Sequence, residues 1–257
     1  MTIHFGNPKP VQSVSDAVSL YGVKEFDSPT LSTIPMLSLL IHAPTVFDDV
    51  IKRIDFPSNH DRYLEYTVAP QYGRGKASHT DLMLKSGQKG LAIEAKWTES
   101  MYPTAGKWLG QGNNKSNKTK VLSWWLKLLN DRTGQKLTAS DVHDVIYQMI
   151  HRAASAATFH RPIVAYFLFK ENGKKQGATA TAIQKKLSEL WVKLGRPKTF
   201  PFFVVEIEMT ALPPYEAIRT LPKRDETTSD AVMAALQDSK ELFKFKLLDC
   251  KKVEVVS

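Results

Sequence analysis

Asp81 is followed, after twelve intervening residues, by Glu94-Ala95-Lys96. Two carboxylates and an ammonium at this spacing suit metal-assisted hydrolysis. Carboxylate oxygens are hard ligands of the kind Mg²⁺ prefers, and that ion keeps several waters and contacts substrate phosphate. A lysine beside them can position or deprotonate an attacking water and offset charge on a pentavalent phosphate. The (D/E)-x-K tripeptide alone is a weak signal, because Asp238-Ser239-Lys240 and Asp249-Cys250-Lys251 match it too. Those copies are set aside on context. Asp238 falls at an expected helix end, and only six residues follow Lys251, too few for further elements.

The elements around the Glu94 copy are what could aim these groups. Tyr63–Val68, His79–Leu84 and Gly90–Trp97 alternate with the period of strands, separated by turn-forming residues. The short turn Lys85-Ser86-Gly87-Gln88 predicts an antiparallel hairpin of the last two strands. Alternation then places Glu94 and Lys96 on one face and Ile93, Ala95 and Trp97 on the other. Asp81 lies on the partner strand, with Leu82 and Leu84 facing away from it. Glu65, one strand earlier, is a candidate additional acid, and Asp48 and Asp49 on the preceding helix are alternatives. A helix is expected over 141–158, capped by Ser140 or Asp141. Val142, Ile146, Met149, Ala153 and Ala157 would be its buried stripe, and Gln148, Arg152 and Ser155 would share another face.

Further elements follow from the same reading. Helices are expected from Ser28-Pro29-Thr30 onward, with Leu31, Ile34, Leu37 and Ile41 at helical spacing, and over 46–54, 119–129, 178–194 and 229–238. Apolar runs at Ile163–Phe169 and Phe202–Ile207 predict buried strands, and further strands are expected near 242–248 and 252–256. Residues 103–118, rich in Gly, Asn and Lys, are expected to be a long loop. The fold class is therefore α/β, a mixed sheet flanked by helices. Residues 1–28 are expected as an irregular arm, 29–210 as the core, and 211–257 as a C-terminal helix and strands extending the same sheet.

The acid on one strand with (D/E)-x-K on the next resembles the signature of the PD-(D/E)XK nuclease superfamily. The resemblance covers about residues 60–170. Thr80 stands where the family's leading proline would be, a position the family often varies. The resemblance implies a restriction-endonuclease-like fold and a Mg²⁺-dependent (or Mn²⁺-dependent) endonuclease. Asp81, Glu94 and the Ala95 carbonyl would bind the metal, with Lys96 as the catalytic lysine and Glu65 as the family's added glutamate. The run Tyr147–Arg152 resembles the glutamine-bearing helix of RecB-like nucleases. Gln148 would orient a carboxylate or phosphate there, and Arg152 would neutralise a phosphate. Single replacement of Asp81, Glu94 or Lys96 is expected to abolish cleavage and leave folding intact.

Charge supports a nucleic-acid partner, DNA in this reading. Thirty-five Lys and Arg against 26 Asp and Glu give +9 over 257 residues, and the excess is uneven. Met101–Asn130 holds five lysines and no acid, so Lys107, Lys115, Lys118 and Lys120 are candidate phosphate contacts. Trp108 is the candidate for base stacking, whereas Trp124-Trp125 reads as core. His60 and His79 flank the strands, and the histidines lack the H-x-x-x-H spacing of a zinc helix. There is no P-loop, dinucleotide fingerprint or G-x-S-x-G, which argues against NTP-driven translocation. No apolar run is long enough to predict a membrane span, and the single cysteine, Cys250, suits a reducing cytoplasm. Two-strand cleavage would be served by a homodimer. The alternative is a nuclease-like scaffold that binds nucleic acid or a protein without cutting.

Overall fold

A computed structural model describes residues 2–7, 9–174 and 177–254. In chain order the elements are β1 (Ile3–Phe5), β2 (Lys9–Val11), α1 (Val14–Ala17), α2 (Thr33–His42), α3 (Pro44–Arg53), β3 (Asp61–Val68), β4 (Ser78–Ser86) and β5 (Lys89–Lys96). Then come α4 (Ala105–Gly110), α5 (Lys115–Thr133), α6 (Tyr147–Ala157), β6 (Arg161–Glu171), α7 (Ala180–Lys193), β7 (Phe202–Ala211), α8 (Pro213–Arg219), α9 (Glu226–Gln237) and β8 (Phe243–Lys252). The eight strands form one sheet in the order β2-β1-β3-β4-β5-β6-β7-β8. β3, β4 and β5 run antiparallel, β5, β6 and β7 run parallel, and β8 returns antiparallel on β7. The molecule is α/β, a mixed sheet flanked by helices.

Each face of the sheet carries its own core, which follows from the period-2 alternation. Leu82, Leu84, Leu91, Ile93, Ala95 and Trp97 face α2, α3, α8 and α9. Met83, Ala92, Val164, Tyr166 and Leu168 face α4, α5, α6 and α7. The hairpin therefore has the expected facing, and Glu94 and Lys96 lie on the α4–α7 side. All five residues of the expected α6 stripe are buried. No single helix among the described residues is long and apolar enough to cross a membrane.

Several elements differ from expectation. The segment 1–28 is not an irregular arm: β1 and β2 extend the sheet, and Val14, Ala17, Val18 and Phe26 are buried in the core. Strands of three residues are too short to display a period. The expected loop 103–118 is largely helix, α4 and the start of α5. Thr104 caps α4 by accepting the Lys107 N–H, and Ala105 and Leu109 are buried beneath it. Helix α6 begins at Tyr147, not at 141. The Asp141 carboxylate closes a tight turn on Thr138 instead of capping a helix, and Ile146 makes an isolated β-bridge to Thr104. The first of the two expected C-terminal strands runs on to Lys252 as β8, with a register irregularity opposite Glu206/Ile207, and residues 253 and 254 of the second are not strand. Residues 255 and 256 of the second expected strand lie outside the described residues.

Candidate functional site

The site forms where the central hairpin comes apart. The β4–β5 ladder runs from Ser86↔Lys89 to Leu82↔Ile93 and stops there. One step on, the Ala95 N–H donates to Asp81 Oδ2 at 2.7 Å, so a carboxylate takes the place of the missing ladder carbonyl. A strand residue's N–H and C=O point to the same edge, so the Ala95 carbonyl is on the β4 side of the strand. Meanwhile β5 continues beside β6 through Lys96↔Leu168, which keeps Glu94 and Lys96 in place.

Helix α6 closes over this opening. Gln148 and Arg152, one turn apart on the same face, both reach Glu94. Gln148 Nε2 donates to Glu94 Oε1 at 2.6 Å, Lys96 Nζ donates to the same oxygen at 2.9 Å, and Arg152 Nε donates to Oε2. The Glu94 side chain is only 3% exposed, and both of its oxygens are engaged. Arg152 also lies 3.7 Å from Asp81 Oδ1 and donates to Ser78 Oγ at 2.9 Å. Asp81 keeps a quarter of its side chain in solvent, so it is the carboxylate that faces the cleft.

These environments pull the two acids apart. Burial, and then the Glu94 charge, push Asp81 up to about 7 against the pull of Arg152, Lys96 and the Ala95 N–H. Burial alone would also raise Glu94, but Arg152 and Lys96 hold it below the ordinary range. Burial would lower Lys96, yet Glu94 and Asp81 keep it above its usual value, as an ammonium. Arg152 is likewise held firmly charged by Glu94 and Asp81.

Glu65 stands at the register position opposite Asp81, between the pairs Leu64↔Leu82 and Tyr66↔Thr80. It adopts φ +51° in mid-strand, a left-handed conformation that costs energy for a non-glycine residue and recurs at functional sites. Burial and then Asp81 raise its carboxyl well above the usual range. Among the described residues no three His, Cys, Asp or Glu side chains converge to hold a metal ion. The acids at the opening are Asp81 and Glu94, with Glu65 beside them.

A cleft of about 1080 Å³ is lined by Glu65, Asp81, Glu94, Lys96, Gln148 and Arg152. Asp48 and Asp49 lie outside it; Asp48 pairs with Arg62 at 3.8 Å. His60 is buried against the Pro57 carbonyl, whereas His79 is exposed on the cleft wall, 3.8 Å from Glu65. Lys107, Lys115 and Lys120 are exposed on α4 and α5. Lys118 instead turns inward, where its Nζ donates to the Trp108 and Gln111 carbonyls and satisfies the end of α4. Trp108 stacks on Tyr147, 3.8 Å between centroids, with Lys118 Nζ over its ring. Its ring is therefore engaged within the protein. Trp124 and Trp125 are buried, as expected, and Trp125 also forms part of the cleft wall. The other two D-x-K copies are ion pairs within their own tripeptides, Lys240–Asp238 at 3.3 Å and Lys251–Asp249 at 2.5 Å.

The structure adds residues that the sequence did not single out. His151 is half-buried beside Arg152, and its Nδ1 lies 2.8 Å from Ser78 Oγ; desolvation and then the Arg152 charge hold the ring neutral. Tyr166, paired in register with Glu94, carries a buried hydroxyl without a partner among the described residues. Glu99 accepts the Trp97 and Ser32 N–H groups, tying the end of β5 to the start of α2. Adjacency to Arg152 was the available signal for His151; Ser78 and Glu99 had none.

No curated protein and no solved structure shows significant similarity to this chain. A family profile matches residues 10–189, a span that includes β3, the hairpin and α6. That is more than half of the chain, which therefore belongs to the family described as a domain of unknown function, DUF6946.

Proposed function

We propose that this protein is a cytoplasmic, Mg²⁺-dependent (or Mn²⁺-dependent) nuclease of the PD-(D/E)XK type, with a restriction-endonuclease-like core, that hydrolyses phosphodiester bonds in DNA. One observation carries the proposal: the splayed ends of β4 and β5 bring Asp81, Glu94 and Lys96 together under Gln148 and Arg152, at the base of a cleft. Asp81, Glu94 and the Ala95 carbonyl would be the oxygen donors to a Mg²⁺ ion, which prefers hard ligands of this kind. A bound divalent cation would supply Lewis-acid charge at the phosphate. Lys96, held as an ammonium by the carboxylates, suits hydrogen bonding to a phosphoryl oxygen better than proton abstraction. Glu65 would hold or release a proton beside Asp81. A homodimer would present two such clefts for two-strand cleavage.

The test is cleavage of plasmid, linear duplex and single-stranded DNA with Mg²⁺, Mn²⁺ or chelator, using the parent, Asp81→Asn and Lys96→Gln. These changes remove a charge and keep a polar side chain, which makes them preferable to Glu94→Ala. Removing Glu94 would take from buried Lys96 and Arg152 their nearest counter-ion, at a cost of roughly 3–5 kcal/mol, so a loss of cleavage there would not be separable from a loss of folding. Metal-dependent cleavage should fall about a hundredfold or more in each variant. Equal cleavage by the variants, or none by the parent, sinks the proposal.

A specific observation favours a second reading. Both Glu94 oxygens are already engaged, by the Lys96 and Arg152 cations and the Gln148 amide, an arrangement that suits a scaffold binding nucleic acid or a protein without cutting. Salt-dependent DNA binding with no divalent-cation uptake would select it.

A further inference from the structure

We propose that the cleft takes an unpaired nucleic-acid strand, one base of which stacks on Tyr102. The inference rests on the reading of this cleft as a nucleic-acid site, and it needs no metal ion. Among the described residues, Tyr102 is the large exposed apolar side chain that lines the cleft, and it is 51% exposed. Its ring lies over the Lys96 ammonium, 5.5 Å from Nζ to the ring centroid, a cation–π distance. Lys96 can occupy one face of the ring only, which leaves the other for a base. The neighbouring aromatic rings of the wall are committed within the protein. Trp108 stacks on Tyr147, and Trp125 Nε1 donates to the Tyr147 hydroxyl at 3.2 Å.

A base can lie on Tyr102 only when it is unstacked, because inside a duplex both of its faces are covered by neighbouring bases. Size points the same way. The cleft holds about 1080 Å³, close to the roughly 300–1,000 Å³ of pockets that enclose one small ligand, whereas the major groove of a duplex is alone about 12 Å wide. The cations that a phosphate backbone would follow are gathered on one side. Arg74 and Lys76 are exposed on the β3–β4 connection, and Lys118 stands beside them on α5. Asn117 of α5 accepts the Arg74 N–H at 2.6 Å, which ties the connection to that helix. The acids Glu25, Glu65 and Asp81 come from other elements, so phosphates are steered to the connection and α5. A base on Tyr102 then brings its own phosphodiester to Lys96, beneath the same ring.

Fluorescence anisotropy of the full-length protein in chelator tests this, with a fluorescein-labelled oligodeoxynucleotide presented single-stranded and as its blunt duplex. Tyr102→Leu should weaken single-strand binding by about tenfold and leave duplex binding unchanged, since a duplex would use Lys115 and Lys120 outside the cleft. Tyr102→Phe keeps the ring and should bind like the parent. The double variant Arg74→Gln/Lys76→Gln should reduce the single-strand salt slope by about 1.4, at about 0.7 per phosphate contact. Tyr102 is exposed, so its variants should melt with the parent; should Tyr102→Leu fail to fold, the salt slope of the double variant decides. No single-strand binding by the parent, equal losses on both DNA forms, or Tyr102→Leu binding like the parent would overturn the inference. Single-strand binding that needs Tyr102 but brings no cleavage in Mg²⁺ would sink the nuclease reading and leave this inference standing.

Discussion

At the scale of single residues, Asp81 and Glu94 are chemically near-identical acids with opposite fates, because Glu94 has cations on both oxygens while Asp81 has mainly burial and a negative neighbour. This sets a pH dependence whose sign can be worked out. Asp81 titrates near 3.8 when unperturbed and near 7 in the folded protein, so the folded state binds its proton more tightly. The stability contributed is fully present below about pH 3.8 and is lost as pH rises through about 7. Glu94, shifted down, contributes the reverse: stability present above its ordinary 4.5 and lost as pH falls through its folded value. Between about pH 4 and pH 7 the Asp81 effect lowers stability as pH rises. His60, His79 and His151, whose folded values are lowered by burial, act in the opposite sense around their ordinary 6.5. The Asp81 contribution is therefore read as a difference: in thermal melts without divalent ions, Asp81→Asn should gain stability relative to the parent as pH rises across that window. An unchanged slope in Asp81→Asn would show that this carboxyl is ionised throughout.

At the scale of elements, the hairpin was legible in the sequence because three cues agreed: alternation, a turn between the strands, and polar residues on a single face. Glu94 and Lys96 fall on the face those cues predict, and Asp81 faces them. Helix α6 was legible as a helix but not in its start, since Asp141 is as good a cap by composition as it is a turn former, and only the bridge from Ile146 to Thr104 decides the matter. Segment 103–118 misled for a related reason. Its Gly and Asn residues lower local helix propensity, but burial of Ala105 and Leu109 and the Trp108–Tyr147 stack supply tertiary support that no local pattern carries. The same packing reveals how the β3–β4 connection is held over the cleft. Asn117 on α5 accepts the Arg74 N–H at 2.6 Å and donates back to the Arg74 carbonyl. Gly73, at φ +77°, lies so close that an added Cβ would meet the Asn117 carbonyl at 2.9 Å. Asn117→Ala should free this connection: amide exchange at Arg74 should speed up by about tenfold or more, while β5 amides stay protected. Unchanged exchange at Arg74 would mean that backbone packing at Gly73 suffices to hold it.

At the scale of the whole molecule, the net charge of +9 is a statement about long-range attraction and not about the fold. The structure divides the lysines of the α4–α5 region into two kinds. Lys115 and Lys120 are exposed on α5 and free to sit beside a phosphate backbone, whereas Lys118 is committed to the Trp108 and Gln111 carbonyls. If the cationic surface binds DNA, each phosphate contact releases counterions and adds about 0.9 to the slope of log affinity against log salt. The double reversal Lys115→Glu/Lys120→Glu should then weaken binding equally for unrelated sequences and reduce that slope by about 2. Lys118→Ala should instead lower the melting temperature and leave the slope nearly unchanged, because its charge is engaged at the end of α4. Fluorescence anisotropy with a labelled duplex at several salt concentrations, in Ca²⁺ or chelator to prevent cleavage, reads the affinity and its slope. A slope that falls for Lys118→Ala but not for the double variant would move the DNA path off this face of α5 and into the cleft, where Lys118 and Arg74 are cations on the wall.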